Sequence, residues 1–200
     1  MSYPSVPEKN RSEGLATHGL RAVSAAVIVG LVTVGMWVLE IFDYVLGGSL
    51  DSYGLTPHDV GDLGSVFTAP FMHAGFGHLI GNTIPFVVLG FLAAARGVAK
   101  FLAASLIIII VGGLGVWFLS SANTLGSSIL IFGFFGYLLG RGIFERRLLD
   151  LAIAVGVVLL YGGLIFGVLP SDPGISWQGH LFGMIGGVLG SWVLRRDTRR

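Results

Sequence analysis

No charged residue occurs between Lys100 and Arg141, a run of forty residues. A helix rises about 1.5 Å per residue, and about 20 residues cross a hydrocarbon core of about 30 Å, so this run holds two membrane-crossing helices. The polar break Ser120-Ser121-Ala122-Asn123-Thr124-Leu125-Gly126 divides them. Composition extends the argument to the whole chain: 54% of residues are hydrophobic and 12% charged, whereas soluble domains carry about 25% charge. The expected class is an all-α polytopic membrane protein. A net charge of +1 with dispersed Lys and Arg gives no reason to expect a nucleic-acid partner, and the absence of cysteine excludes disulfide and thiolate chemistry.

Applied along the chain, the same criterion predicts six spans at about 21–42, 78–95, 101–120, 127–141, 149–169 and 177–194. Residues 1–20 read as a flexible polar tail and 196–200 as a basic tail, on either side of one domain at 21–195. Six spans also order the charges. Lys9, Arg11, Arg21, Arg96, Lys100, Arg141, Arg146, Arg147 and the four C-terminal arginines all fall on one face, while Asp43, Asp51, Asp59, Asp62 and Asp172 fall on the other. Cytoplasmic loops hold the excess of Lys and Arg, which predicts cytoplasmic termini and a long outer loop after the first span. Pro170-Ser171-Asp172-Pro173-Gly174 reads as a tight outer turn.

The fourth span is too short to cross. If Arg141 marks one membrane face, Ser128 lies about 20 Å above it, inside the bilayer. By the same measure His180 lies about 22 Å above Arg195 and Asn82 about 21 Å above Arg96, so three polar side chains on three helices share one level. His78 sits one turn above Asn82, and His73 is expected at or beyond the outer boundary. Polar groups at such depth are costly and mark functional sites. Gly133, Gly136 and Gly140 on the fourth span and Gly179, Gly183 and Gly187 on the sixth form small-residue stripes that permit close approach. That approach would allow a hydrogen bond between Ser128 and His180, with Ser127 capping the helix.

A serine beside a neutral imidazole is the minimal unit for acyl transfer, and the free N–H groups opening the fourth span, with His78 and Asn82, suit a developing oxyanion. Taken together, His73-x4-His78-x3-Asn82, Gly126-Ser127-Ser128 and His180 followed by Gly183 and Gly187 resemble the rhomboid intramembrane serine proteases over about residues 20–195. The resemblance implies the six-span rhomboid bundle. It also implies Ser128 as nucleophile, His180 as base, His78 and Asn82 as oxyanion donors, and Phe132 as the ring supporting the histidine. Ile129 stands where that family usually has glycine, and its branched side chain is expected to crowd the oxyanion hole. The first loop lacks the Trp-Arg pair of many relatives.

The expected function is cleavage of transmembrane protein substrates near the outer face of a bacterial plasma membrane, with the bilayer as the other partner and neither cofactor nor metal. A five-residue spacing would place His73 and His78 about 140° apart on a helix, unlike helical zinc pairs. The competing expectation is an inactive rhomboid-like protein that binds transmembrane clients. A transporter is disfavoured, since no charge lies mid-span and no inverted repeat is evident.

Overall fold

The structure, a computed structural model, describes residues 8–170 and 174–196. Six α-helices follow in order: α1 Glu8–Val45, α2 Phe76–Ala94, α3 Val98–Leu119, α4 Ser128–Glu145, α5 Leu148–Tyr161 and α6 Trp177–Val193. A 3-10 segment, Gly162–Val168, continues α5. Among the described residues there is no strand, only a single antiparallel bridge between Leu55 and Thr124. Five of the helices are long and apolar enough to cross a bilayer, the α5 span including its 3-10 extension, while α6 has 17 residues.

The helices match the six apolar runs, with differences at their ends. α1 begins at Glu8, so residues 8–20, expected as a flexible tail, continue the first helix. Once a span has formed its helix, each added residue gains a hydrogen bond without a new nucleus, and polar residues can prolong it. Residues 1–7, Ser171 to Pro173 of the expected tight turn, and residues 197–200 lie outside the described part.

α4 begins at Ser128 as expected but runs one turn past Arg141, so at 18 residues it reaches crossing length and is not the span too short to cross that was expected. Arg141 does not end the helix or face outward. It is buried, its Nε and Nη2 donating to Asp150 Oδ1 at 3.1 Å, with Glu145 3.4 Å from Nη1. The pairing cancels the charge that was expected to end the span.

α4 is the most buried of the crossing-length helices and occupies the centre, with α6 and α3 packed on one side and α2 and α5 on others. Its closest partner is α6. A Cβ on Gly183 would collide with the Ile129 carbonyl, and one on Gly187 with the backbone of Gly133 and Tyr137. Without a hydrophobic effect between helices in lipid, such backbone contact is a main source of association. The stripes do not simply face each other: Gly136 admits the Met184 carbonyl of α6, but Gly133 admits the Ile108 side chain of α3. α5, the least buried helix, rests on α4.

Candidate active site

The long segment between α1 and α2 builds the approach to α4. Leu55 and Thr124 exchange backbone hydrogen bonds of 2.8 and 3.1 Å, and the Gly126 N–H donates to the Ala69 carbonyl at 2.9 Å. These bonds hold the break between α3 and α4, so the start of α4 is fixed from outside the helix. Gly126 has φ +123°, a value that suits glycine, and a Cβ there would press into the His78 ring and approach Asn82 Nδ2.

Ser127 is fully buried, but its hydroxyl does not cap α4 as expected. It donates instead to His73 Nε2 at 3.2 Å, and the Ser127 N–H points to the same nitrogen at 3.4 Å. A nitrogen that accepts two donors is the unprotonated one, so the proton of a neutral His73 sits on Nδ1. His73, expected at or beyond the outer boundary, is buried and packs edge-on against His78 with centroids 5.1 Å apart. It precedes α2 rather than extending it, so helical angular spacing does not govern the pair.

Ser128 is the first residue of α4, where the opening N–H groups have no partner within the helix and the helix dipole is positive. Its neighbours define a pocket of about 540 Å³ lined by Ser128, His78, Asn82, Phe132 and His180, and also by Asn123, Thr124 and Ser176. Ser128, Asn82 and His180, polar residues from three helices, thus line one pocket. Asn82 Nδ2 is buried and has no hydrogen-bond partner, a donor left for something within the pocket.

His180 is held on two sides. Its ring stacks on Phe132 with centroids 3.9 Å apart and an interplanar angle of 7°. Nδ1 lies 2.8 Å from the Gly167 carbonyl oxygen, which can only accept, so Nδ1 carries the proton and Nε2 is the basic nitrogen. The 3-10 segment after α5 aims that carbonyl. No Asp or Glu lines the pocket among the described residues, Asp172 lies outside them, and Gln178 donates to the Leu119 carbonyl. The orienting acceptor for His180 is a backbone carbonyl, which no side-chain motif announces. Ser176 caps α6 by accepting from the Gly179 N–H at 3.3 Å and meets Thr124 Oγ1 at 3.3 Å, tying the start of α6 to the loop before Ser128.

The Ser128–His180 hydrogen bond is not formed in this structure, whose contacts for His180 are those with Phe132 and Gly167. Catalytic hydrogen bonds are often long without substrate and tighten when it binds. Ile129 does not crowd the pocket as expected. It is 3% exposed, absent from the pocket wall, and lodged among Gly112 of α3 and Gly179 and Gly183 of α6. A side chain on the residue after the helix-opening serine turns by about 100° from it, into the helix seam.

Fold and site together define an all-helical integral membrane protein with a serine, an oriented histidine and free donors around one cavity. Residues 60–197 match the Rhomboid domain family. An uncharacterized protein of Mycobacterium tuberculosis (strain ATCC 25618 / H37Rv) is 38% identical over 175 residues, covering 82% of this chain and 73% of its own length. One from Mycobacterium leprae is 34% identical over 209 residues, covering 98% and 83%. A protein of Acanthamoeba polyphaga mimivirus with rhomboid in its name is 34% identical over 134 residues, 58% of this chain and 67% of that one. The chain belongs to the rhomboid family.

Proposed function

We propose that the protein is an intramembrane serine endopeptidase that cleaves transmembrane segments of membrane-protein substrates through a Ser128–His180 dyad. It would span a bacterial plasma membrane six times, both termini in the cytoplasm and the pocket open to the outer half. What supports this is the convergence of Ser128, His180, His78 and Asn82 on one cavity, with His180 held in the tautomer that leaves Nε2 basic.

A substrate helix must unwind locally, because an intact helix keeps its carbonyls engaged. His180 Nε2 takes the Ser128 proton as Oγ attacks the carbonyl carbon. The oxyanion is met by Asn82 Nδ2, His78 and the opening N–H groups of α4, donors that are in place before charge develops. The protonated His180 gives its proton to the leaving amine, and a water activated by the same ring then hydrolyses the acyl-enzyme.

A tagged transmembrane substrate co-reconstituted in liposomes tests the dyad. Ser128→Ala and His180→Ala should each lower cleavage by at least about a thousandfold. Cleavage unaffected by Ser128→Ala would sink the mechanism. Wild-type protein that binds a transmembrane client but neither cleaves it nor reacts with a fluorophosphonate would make it the client-binding relative.

A further inference from the structure

Away from the catalytic pocket, two grooves flank α4 toward its C-terminal end. One, between α4 and α6, has a volume of about 420 Å³ and extends from Gly136 to Phe144 along α4 and from Met184 to Trp192 along α6. The other, between α4 and α5, has a volume of about 370 Å³ and extends from Leu151 to Leu159 along α5. Leu139 belongs to both and forms the ridge between them. Apart from the Trp192 indole, no side chain in either groove can form a hydrogen bond. Eight helical residues measure about 12 Å, most of the roughly 15 Å of hydrocarbon in one leaflet. The shape is that of two parallel acyl-chain tracks.

Both tracks lie toward the end of the bundle where α4 and α6 finish and α5 begins, and that end is basic. Arg146 follows the last residue of α4, Arg147 precedes the first of α5, and Arg195 and Arg196 follow α6. The Arg196 N–H reaches Glu145 Oε1 at 3.4 Å, which sets the end of α6 beside the end of α4. The Arg195 guanidinium lies 4.9 Å from the centroid of Trp192, a lining residue of the α6 groove, and so stands beside that groove. All four arginines are exposed, and none joins an ion pair among the described residues. By contrast the nearby Arg96 and Arg141 are each ion-paired with Asp150.

The geometry points to a binding site for one anionic two-chain glycerophospholipid of the bilayer, astride Leu139, with an acyl chain in each groove and its phosphate against Arg146 and Arg195. Two apolar tracks on one ridge fit a diacyl lipid better than a fatty acid, which would fill only one. The surplus of unpaired cations calls for a net negative headgroup, since a zwitterionic one brings its own cation. Arginine is the side chain suited to phosphate.

Native mass spectrometry of the intact detergent-purified protein, equilibrated with equal amounts of phosphatidylglycerol and phosphatidylcholine, tests this. The wild type should retain one phosphatidylglycerol in preference to phosphatidylcholine, and Arg146→Ala with Arg195→Ala should reduce that preference about tenfold. Val155→Trp, an exposed groove residue of α5, keeps the arginines and should lower phosphatidylglycerol retention by blocking one track. Equal retention of the two lipids by the wild type would show annular lipid only and overturn the site. So would an undiminished preference in the arginine variant or in Val155→Trp, each checked for native helicity by circular dichroism.

Discussion

Ile129 shows at the level of one residue how a departure in the motif need not be a departure in the site. Its branches fill a socket floored by Gly112 and walled by Gly179 and Gly183, where a Cβ on Gly112 would come within 2.6 Å of Ile129 Cγ2. Ile129→Gly should therefore leave a cavity and add a flexible residue in the first turn of α4. Deleting a buried aliphatic costs about 2–5 kcal/mol, and glycine in a helix about 1 kcal/mol more. Thermal unfolding in detergent should show the loss, and the rate of fluorophosphonate labelling should not rise. Faster labelling would restore the view that Ile129 restrains the site. Gly126→Ala tests the opposite case, a small change with a catalytic effect. The strained φ costs about 1–3 kcal/mol, and the new methyl displaces His78, so substrate cleavage should fall more than tenfold in protein that still folds. The Ser128, His78, Asn82 and His180 positions were legible in the sequence as polar residues within apolar runs, and the structure brings them to one pocket. The His73–Ser127 bond was not, since it joins a side chain before α2 to one before α4, and neither lies in regular structure.

Among the elements, the α4–α6 seam was the easiest to anticipate and the ends of the helices the hardest. Four-residue glycine spacing can be read from the chain, but which atom fills each notch depends on rotation and partner. Gly187 accepts the backbone of α4 itself, with no room for a Cβ beside the Gly133 carbonyl. Gly187→Leu should therefore separate α6 from α4, carrying His180 away from Ser128, and lower both thermal stability and cleavage. Gly35→Leu in α1, whose Cβ position has nothing within 4 Å, is the matched helical control and should retain both. Equal damage from the two substitutions would show that bulk rather than the seam is responsible. The Gly167 carbonyl on His180 illustrates what patterning leaves out. A main-chain acceptor has no residue signature, and its aim follows from the 3-10 turn that ends α5.

On the scale of the whole molecule, the two ends of the bundle are built differently. The pocket end is held by loop hydrogen bonds and the Thr124–Ser176 contact, while the basic end is held by charge. Asp150 of α5, 2% exposed, meets Arg141 of α4 at 3.1 Å and Arg96 after α2 at 2.8 Å. Reading Arg141 as a membrane-face marker misplaced the end of α4 because its partner is supplied by the next helix, beyond any local pattern. α5 has few other attachments, and its far end carries the carbonyl that orients His180. Asp150→Ala should leave buried Arg141 with the longer 3.4 Å contact to Glu145 as its one remaining carboxylate. Removing one partner of a buried pair costs about 3–5 kcal/mol, and at about 2–4 °C per kcal/mol the expected fall in Tm is about 6–20 °C. Replacing both partners by apolar residues is often neutral, and Arg96, being partly exposed, can turn to solvent. Asp150→Leu with Arg141→Met leaves Glu145 only the Arg196 N–H, and should therefore recover part of the Tm lost in either single variant, a coupling of at least about 1 kcal/mol in the double-mutant cycle. Additive losses would mean that the pair does not fasten α5 to α4, and that packing of their apolar faces alone keeps the Gly167 carbonyl on His180.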